Sequence, residues 1–228
     1  HTGSSAASDV YKRQELNQYS SIFWDFGGVI TSSPFEAFNK FEIENDLPEN
    51  FLRKVNSTNP QNNAWALLEQ SKINQMEFNE LFFKESSELG YGVEGLKVLN
   101  LLEGDLRLGM VDIIKTLKKM KFTQACLTNN FIPDNENQPG MIDLNKKAEI
   151  FNLFDFIFES KEIGLRKPDQ AFYDYVLEKV GISPKKIIFL DDLGINLKPA
   201  KAMGMTTIKV ISESQARADL ETILKIKL

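Results

Sequence analysis

The residues in this chain best suited to chemistry are carboxylates standing at the ends of apolar runs. Ile187–Leu190 is four apolar residues followed at once by Asp191 and Asp192, and Ile22–Trp24 leads in the same way into Asp25 and the turn Gly27-Gly28. A short apolar run closed by a turn reads as a buried parallel strand, and in an open α/β sheet ligands bind beyond the carboxyl ends of such strands. Acids gathered there must share a cation or meet solvent, and two or three carboxylates are a hard-metal donor set. Two further residues fall at strand ends: Thr128 closes the run FTQACLT, and Lys167 lies in the loop after Phe154–Phe158. One such residue could be a helix cap; four at the same topological position call for another account. Carboxylates, a hydroxyl and a lysine suit phosphoryl chemistry. Mg²⁺ takes carboxylates, waters and substrate oxygens, lysine offsets phosphate charge, and a hydroxyl with backbone N–H groups holds another oxygen. A carboxylate can itself attack phosphorus and form an aspartyl-phosphate that water later cleaves.

For these residues to meet, the chain must build a parallel sheet. Strands are expected at Ser21–Asp25, Phe122–Leu127, Phe154–Phe158, Lys186–Leu190 and Thr206–Val210. Helices are expected at Met110–Lys121, Leu144–Asn152, Asp169–Val180, Asn196–Met203 and from Ser212 onward. That alternation predicts an α/β fold with a doubly wound parallel sheet. Between strand one and about Leu106 only helical patterns occur, beginning with PFEAFNKFEIEN and continuing at Glu49–Val55, Ala64–Glu69, Gln75–Ser87 and Val93–Leu102. The expected organisation is therefore a core of residues 15–33 and 107–228 carrying a helical insert, 34–106. Trp24 and Phe26 flank Asp25 and are expected in the core. Arg166 is expected at the surface, and Trp65 either lines a pocket or holds helices together. Gly164–Pro168 is expected to be a loop.

Composition narrows the partners. There are 27 basic and 32 acidic residues with no basic cluster, which argues against nucleic acid. No apolar run reaches membrane-helix length, so no membrane partner is expected. Cys126 is the only cysteine; it forms no internal disulfide and fits a reducing, cytoplasmic compartment. His1 is the only histidine, which excludes histidine bases and ligands. It belongs to residues 1–14, HTGSSAASDVYKRQ, expected to be a non-native tail because DVYKRQ matches the in-frame translation of a common sequencing-library transposon end.

The stretches WDFGGVIT, ACLTNN, ESKEIGLRKPDQAFY and IIFLDDLGINLKPAKAMGM resemble the haloacid dehalogenase-like (HAD) hydrolase superfamily, especially the phosphatase-type domains of bifunctional epoxide hydrolases and of acyl-CoA dehydrogenase fusions. The resemblance implies a HAD-like Rossmannoid core with an inserted α-helical cap that selects the substrate together with the loop Phe131–Gly140. It implies Asp25 as nucleophile and metal ligand, and Thr128 and Asn129 as phosphate-binding residues. Lys167 would neutralise charge, Asp192 and the Gly27 carbonyl would be further Mg²⁺ ligands, and Asp191 and Asn196 would support them. The substrate would be a small phosphorylated molecule. One departure stands out: related phosphatases commonly carry a general acid/base Asp where this chain has Gly27. A metal- and phosphate-binding module with little turnover is therefore the alternative, and a haloacid dehalogenase a more distant one.

Overall fold

The computed structural model describes residues 18–102, 104–131 and 144–228. The N-terminal tail and most of the Phe131–Gly140 loop lie outside them. The chain opens with strand β1 (Ser21–Trp24). Five helices follow: α1 (Phe35–Glu44), α2 (Phe51–Ser57), α3 (Ala64–Glu69), α4 (Gln75–Glu88) and α5 (Gly95–Leu99). The βα alternation then runs α6 (Leu108–Lys119), β2 (Thr123–Thr128), α7 (Leu144–Phe151), β3 (Phe156–Glu159), α8 (Ser160–Ile163), α9 (Gln170–Val180), β4 (Ile187–Asp191), α10 (Gly194–Ala202), β5 (Thr206–Lys209) and α11 (Glu213–Leu224).

All five strands are parallel, in the order β3-β2-β1-β4-β5, so β1 lies at the centre between β2 and β4. Register places Trp24 level with Cys126 on one side and with Leu190 on the other. The acid-bearing tips of β1 and β4 therefore end side by side, and the Asp25 N–H donates to the Leu190 carbonyl at 2.8 Å. The period of two along each strand sorts side chains between the two faces. Ile22, Trp24, Ile188 and Leu190 pack under α6 and α11, whereas Phe23 and Phe189 pack under α9 and α10. By the same alternation Asp25 and Asp191 continue the face covered by α9.

The helical insert has its own core, in which Phe38, Leu52, Leu68, Phe78, Phe82 and Val98 come together. Local chemistry starts its helices. The Asn63 side chain caps α3 by accepting from the Ala66 N–H, and Asn74 with Glu77 forms a capping box on α4. The two chain crossings into the insert run antiparallel and pair at Thr31 and Leu106, with the Ser32 N–H donating to Asp105 at 2.8 Å and the Arg107 N–H to Ile30 at 2.9 Å.

The structure moves several expected boundaries. β2 and β4 each run one residue further than expected because Thr128 still pairs with Glu159 and Asp191 with Lys209. β3 starts later, at Phe156, and Phe154 is buried ahead of it. Ser160–Ile163, expected partly as strand end, forms a single helical turn, too short to leave a periodic signal. No helix among the described residues is long and apolar enough to cross a membrane.

One buried polar link holds β1, β2 and α6 together: Trp24 Nε1 donates to Gln124 Oε1 at 3.1 Å, and Gln124 Nε2 donates to the Ile114 carbonyl at 2.9 Å. Replacing Gln124→Leu leaves the buried indole N–H without its partner and removes the second bond to that helical carbonyl, so unfolding free energy should fall by about 1–3 kcal/mol. Urea midpoints of the two proteins measure it, and an unchanged midpoint refutes it.

Candidate active site

Beyond the carboxyl ends of β1 and β4, one oxygen from each of Asp25, Asp191 and Asp192 lies within 4.8 Å of the others. The three residues differ in what surrounds them. Asp191 is fully buried and fully engaged: its oxygens accept from Lys167 Nζ at 2.7 Å, from the Leu193 N–H at 2.8 Å and from Asn196 Nδ2 at 3.1 Å. Asn196 is itself held through its carbonyl, which accepts from the Tyr173 hydroxyl at 2.6 Å. Asp25 Oδ1 accepts from the Phe26 N–H at 2.7 Å and pairs with Lys167 Nζ at 2.9 Å. Asp192 accepts a long hydrogen bond from Ser33 Oγ, at 3.5 Å, and is the least enclosed of the three.

Lys167 reaches this cluster from the loop before α9 with its side chain 1% exposed. Burial alone would lower the pKa of its ammonium, but the charges of Asp191 and Asp25 outweigh burial and hold it above the usual lysine value. Burial, and next the Asp191 charge, push the Asp25 carboxyl well above its ordinary range against the pull of Lys167. The same two causes push Asp192 up to about 6. Among the described residues Lys167 is the one cation paired with the cluster, so full ionisation of the three carboxylates would leave two negative charges without compensation, the repulsion that raises these pKa values. That deficit and the oxygen-only donor set fit a divalent hard cation.

The turn after Asp25 is shaped by this crowding. Gly28 has φ +72°, and a Cβ there would lie 2.2 Å from Asp192 Oδ2, whereas a Cβ on Gly27 would meet nothing within 4 Å. The Gly28 carbonyl accepts from Arg107 Nη1 at 2.8 Å, tying the turn to the return crossing of the insert.

Thr128 is buried at the tip of β2, and its hydroxyl has no protein hydrogen-bond partner among the described residues. Asn129 follows Thr128 directly after the tip of β2. Its side chain is committed to the Lys167 backbone, with Oδ1 accepting from the Lys167 N–H and Nδ2 donating to the Lys167 carbonyl, both at 2.9 Å. The Asn129 amide therefore clamps the lysine loop, and only the residue's backbone N–H is left to offer an anion.

Arg166 corrects the surface expectation. Its Nη2 pairs with Glu69 Oε2 at 2.6 Å, and the two side chains are only 15% and 10% exposed. Glu69 belongs to the insert and was not singled out in the sequence. Its partners lie 60 and 97 positions away, at Asn129 and Arg166, so no local spacing announces them. Trp65 Nε1 donates to Glu69 Oε1 at 3.0 Å and its ring meets Phe78 edge-on, which gives Trp65 the packing role.

Residues 19–204 match the haloacid dehalogenase-like hydrolase family. The chain belongs to that family. Mouse bifunctional epoxide hydrolase 2 is 28% identical over 211 residues, covering 88% of this chain and 38% of that protein. The chain thus spans little more than a third of that relative's length. Sesquiterpene phosphatase astK of Aspergillus oryzae is 32% identical over 145 residues, covering 62% of this chain and 69% of the relative. The HAD family enzyme bt-2542 of Bacteroides thetaiotaomicron, crystallised with magnesium and inorganic phosphate, superimposes with a TM-score of 0.55 at 21% identity, covering 83% of this chain and 93% of that one. At that identity the likeness concerns the fold alone.

The raised pKa of Asp192 has a measurable consequence in metal-free protein. A carboxyl with a raised folded-state pKa contributes stability that is fully present below its unfolded value and lost as pH rises through the folded one. Asp192→Asn removes that loss. The variant should gain on the wild type as pH rises from about 4 to 6 and hold a constant lead above that range. Chemical unfolding in a chelator measures the difference, and a lead independent of pH refutes the charge crowding.

Proposed function

We propose that this HAD-like hydrolase is a Mg²⁺-dependent phosphatase of small phosphomonoesters that works through an aspartyl-phosphate on Asp25. The observation that carries this reading is the uncompensated charge at the strand tips, where three carboxylates converge around a single buried lysine. Asp25, Asp192 and the Gly27 carbonyl would hold the ion, and Asp191 supports the site because Lys167, Leu193 and Asn196 already occupy its oxygens. Bound Mg²⁺ supplies charge neutralisation for the phosphate oxygens and a template for their orientation.

The chain's own residues carry the steps. An Asp25 oxygen attacks phosphorus, forming the acyl-phosphate bond as the ester P–O bond breaks, and the leaving oxygen takes its proton from solvent water. Water then attacks the phosphorus of the intermediate, releasing phosphate and restoring the carboxylate. Lys167, whose positive charge is secured by its two carboxylate neighbours, offsets the charge of the phosphoryl group beside Asp25. The free Thr128 hydroxyl and the Asn129 backbone N–H hold a transferring oxygen. The helical insert serves as a cap that selects the substrate. The phosphatase name of the Aspergillus oryzae relative and the magnesium and phosphate in the bt-2542 structure agree with this assignment. Carbon–halogen cleavage on Asp25 without a metal leaves the charge deficit unexplained.

Gly27 favours a second reading, a metal- and phosphate-binding module with little turnover. No side chain at this position can protonate the leaving group or activate water, a contribution worth about 10²–10⁴-fold in rate. The phosphatase reading therefore favours esters with good leaving groups. An aryl phosphate assayed with and without Mg²⁺ separates the two. Metal-dependent release that disappears in Asp25→Asn supports the phosphatase, and metal binding without release supports the module. Gly27→Asp, which the open space at this position accommodates, should raise turnover of alkyl phosphates more than of aryl phosphates. Equal rates for the variant and the wild type on both esters rule out a missing acid as the limit.

A further inference from the structure

The cap carboxylate Glu69 is bonded to the residue that clamps the catalytic lysine. Glu69 sits at the last position of α3 and is 8% exposed. Oε1 accepts from Trp65 Nε1 at 3.0 Å, which fixes the carboxylate on the insert. Oε2 faces the core, where it pairs with Arg166 Nη2 at 2.6 Å and lies 3.3 Å from Asn129 Nδ2. Arg166 also donates from Nη1 to the Pro60 carbonyl at 3.2 Å, and Ser71 Oγ of the insert donates to the Lys161 carbonyl at 3.0 Å. The segment 60–71 of the insert and the segment 161–167 of the core are thus docked on one another, with Glu69 between them.

Asn129 has an orientation that the Lys167 backbone sets and Glu69 reinforces. A side-chain amide presents an acceptor on one side and two donor hydrogens on the other. In the observed orientation Nδ2 gives one hydrogen to the Lys167 carbonyl and directs the other at Glu69, while Oδ1 takes the Lys167 N–H. The flipped amide would set Oδ1 against both the carboxylate and the Lys167 carbonyl, and Nδ2 against the Lys167 N–H, three repulsions in place of three attractions. A negative charge on the cap therefore reinforces the amide orientation that grips both backbone groups of Lys167, and holds it against rotation from the insert side. The same charge holds the neighbouring Arg166.

We propose that Glu69 is a positioning residue that couples docking of the cap to the placement of Lys167, through Arg166 and the oriented amide of Asn129. The inference rests on Lys167 acting as the phosphatase reading assigns. Its effect is that the lysine loop is held most firmly while the cap is docked, so charge stabilisation and substrate enclosure strengthen together.

Glu69→Ala and the near-isosteric Glu69→Gln test it, the second keeping the volume of the site should the first misfold. Hydrogen exchange at the Lys167 amide should speed up by about fivefold or more in both variants, as expected for one lost hydrogen bond, while exchange in β4 stays at the wild-type rate. With an aryl phosphate, kcat should fall by about 10- to 100-fold and KM stay unchanged. Unaltered Lys167 exchange overturns the proposal, as does a loss confined to KM or to thermal stability. Exchange is read without turnover, so a wild type that hydrolyses nothing sinks the phosphatase reading and leaves the Glu69 clamp to be judged by exchange alone.

Discussion

An ammonium buried between two carboxylates is the interaction on which the rest of this structure depends. Lys167 stands 2.9 Å from Asp25 and 2.7 Å from Asp191, out of contact with water. Ions removed from solvent cost several kcal/mol each, repaid only where geometry and further hydrogen bonds are good. The fold supplies both through a closed ring of contacts. Lys167 holds Asp191, Asp191 holds Asn196, Asn196 takes the Tyr173 hydroxyl, and Tyr173 stands on α9, which begins just after Lys167. Any drift of α9 relative to β4 would open that ring. The sheet register, the packing of α9 and the position of the lysine are consequently one constraint.

The three carboxylates share that constraint unequally, which separates their duties. Asp191 continues the face covered by α9, and its lone pairs are spent inside the protein. Asp192, one residue further, leaves the strand and meets the turn at Gly28 so closely that no side chain fits there. A pair of adjacent acids thus yields one that stabilises the lysine and one that remains for a ligand. The crowding that raises the Asp192 pKa toward 6 is also a reason for the site to take up a cation, since a positive ion relieves a repulsion the fold imposes.

Much of this was legible in the sequence because its signals are local. An apolar run followed by an acid and a turn identifies a strand and its tip within six or seven residues, as at Ile22–Gly28 and Ile187–Asp192. The helical pattern expected at Ala64–Glu69 is likewise local and coincides with α3. What stayed hidden depends on partners distant in the chain. Whether an amide at a strand tip turns toward a ligand or toward a loop 38 positions later is decided by tertiary packing, and Asn129 gives no local sign of which. Arg166 beside an exposed-looking loop lysine carries the surface pattern of charge, and only the arrival of Glu69 from the insert buries it. The last residue of β2 and of β4 likewise depends on how far the neighbouring strand continues.

The place of insertion explains why a cap residue can reach the lysine at all. The insert leaves the core directly after the turn that follows Asp25 and returns to it at Arg107, and the paired crossings at Thr31 and Leu106 keep its base at the rim of the site. Arg107 then bonds the Gly28 carbonyl, so the return crossing is tied to the same turn that makes room for Asp192. From that base a helix as short as α3 can set a carboxylate against the tip of β2 and the Lys167 loop. The clamp reaches the lysine's backbone through Asn129, while Asp25 and Asp191 hold its ammonium from the other end. A group fixed at both ends loses little freedom when an anion arrives, and preorganisation of that kind is what electrostatic catalysis requires.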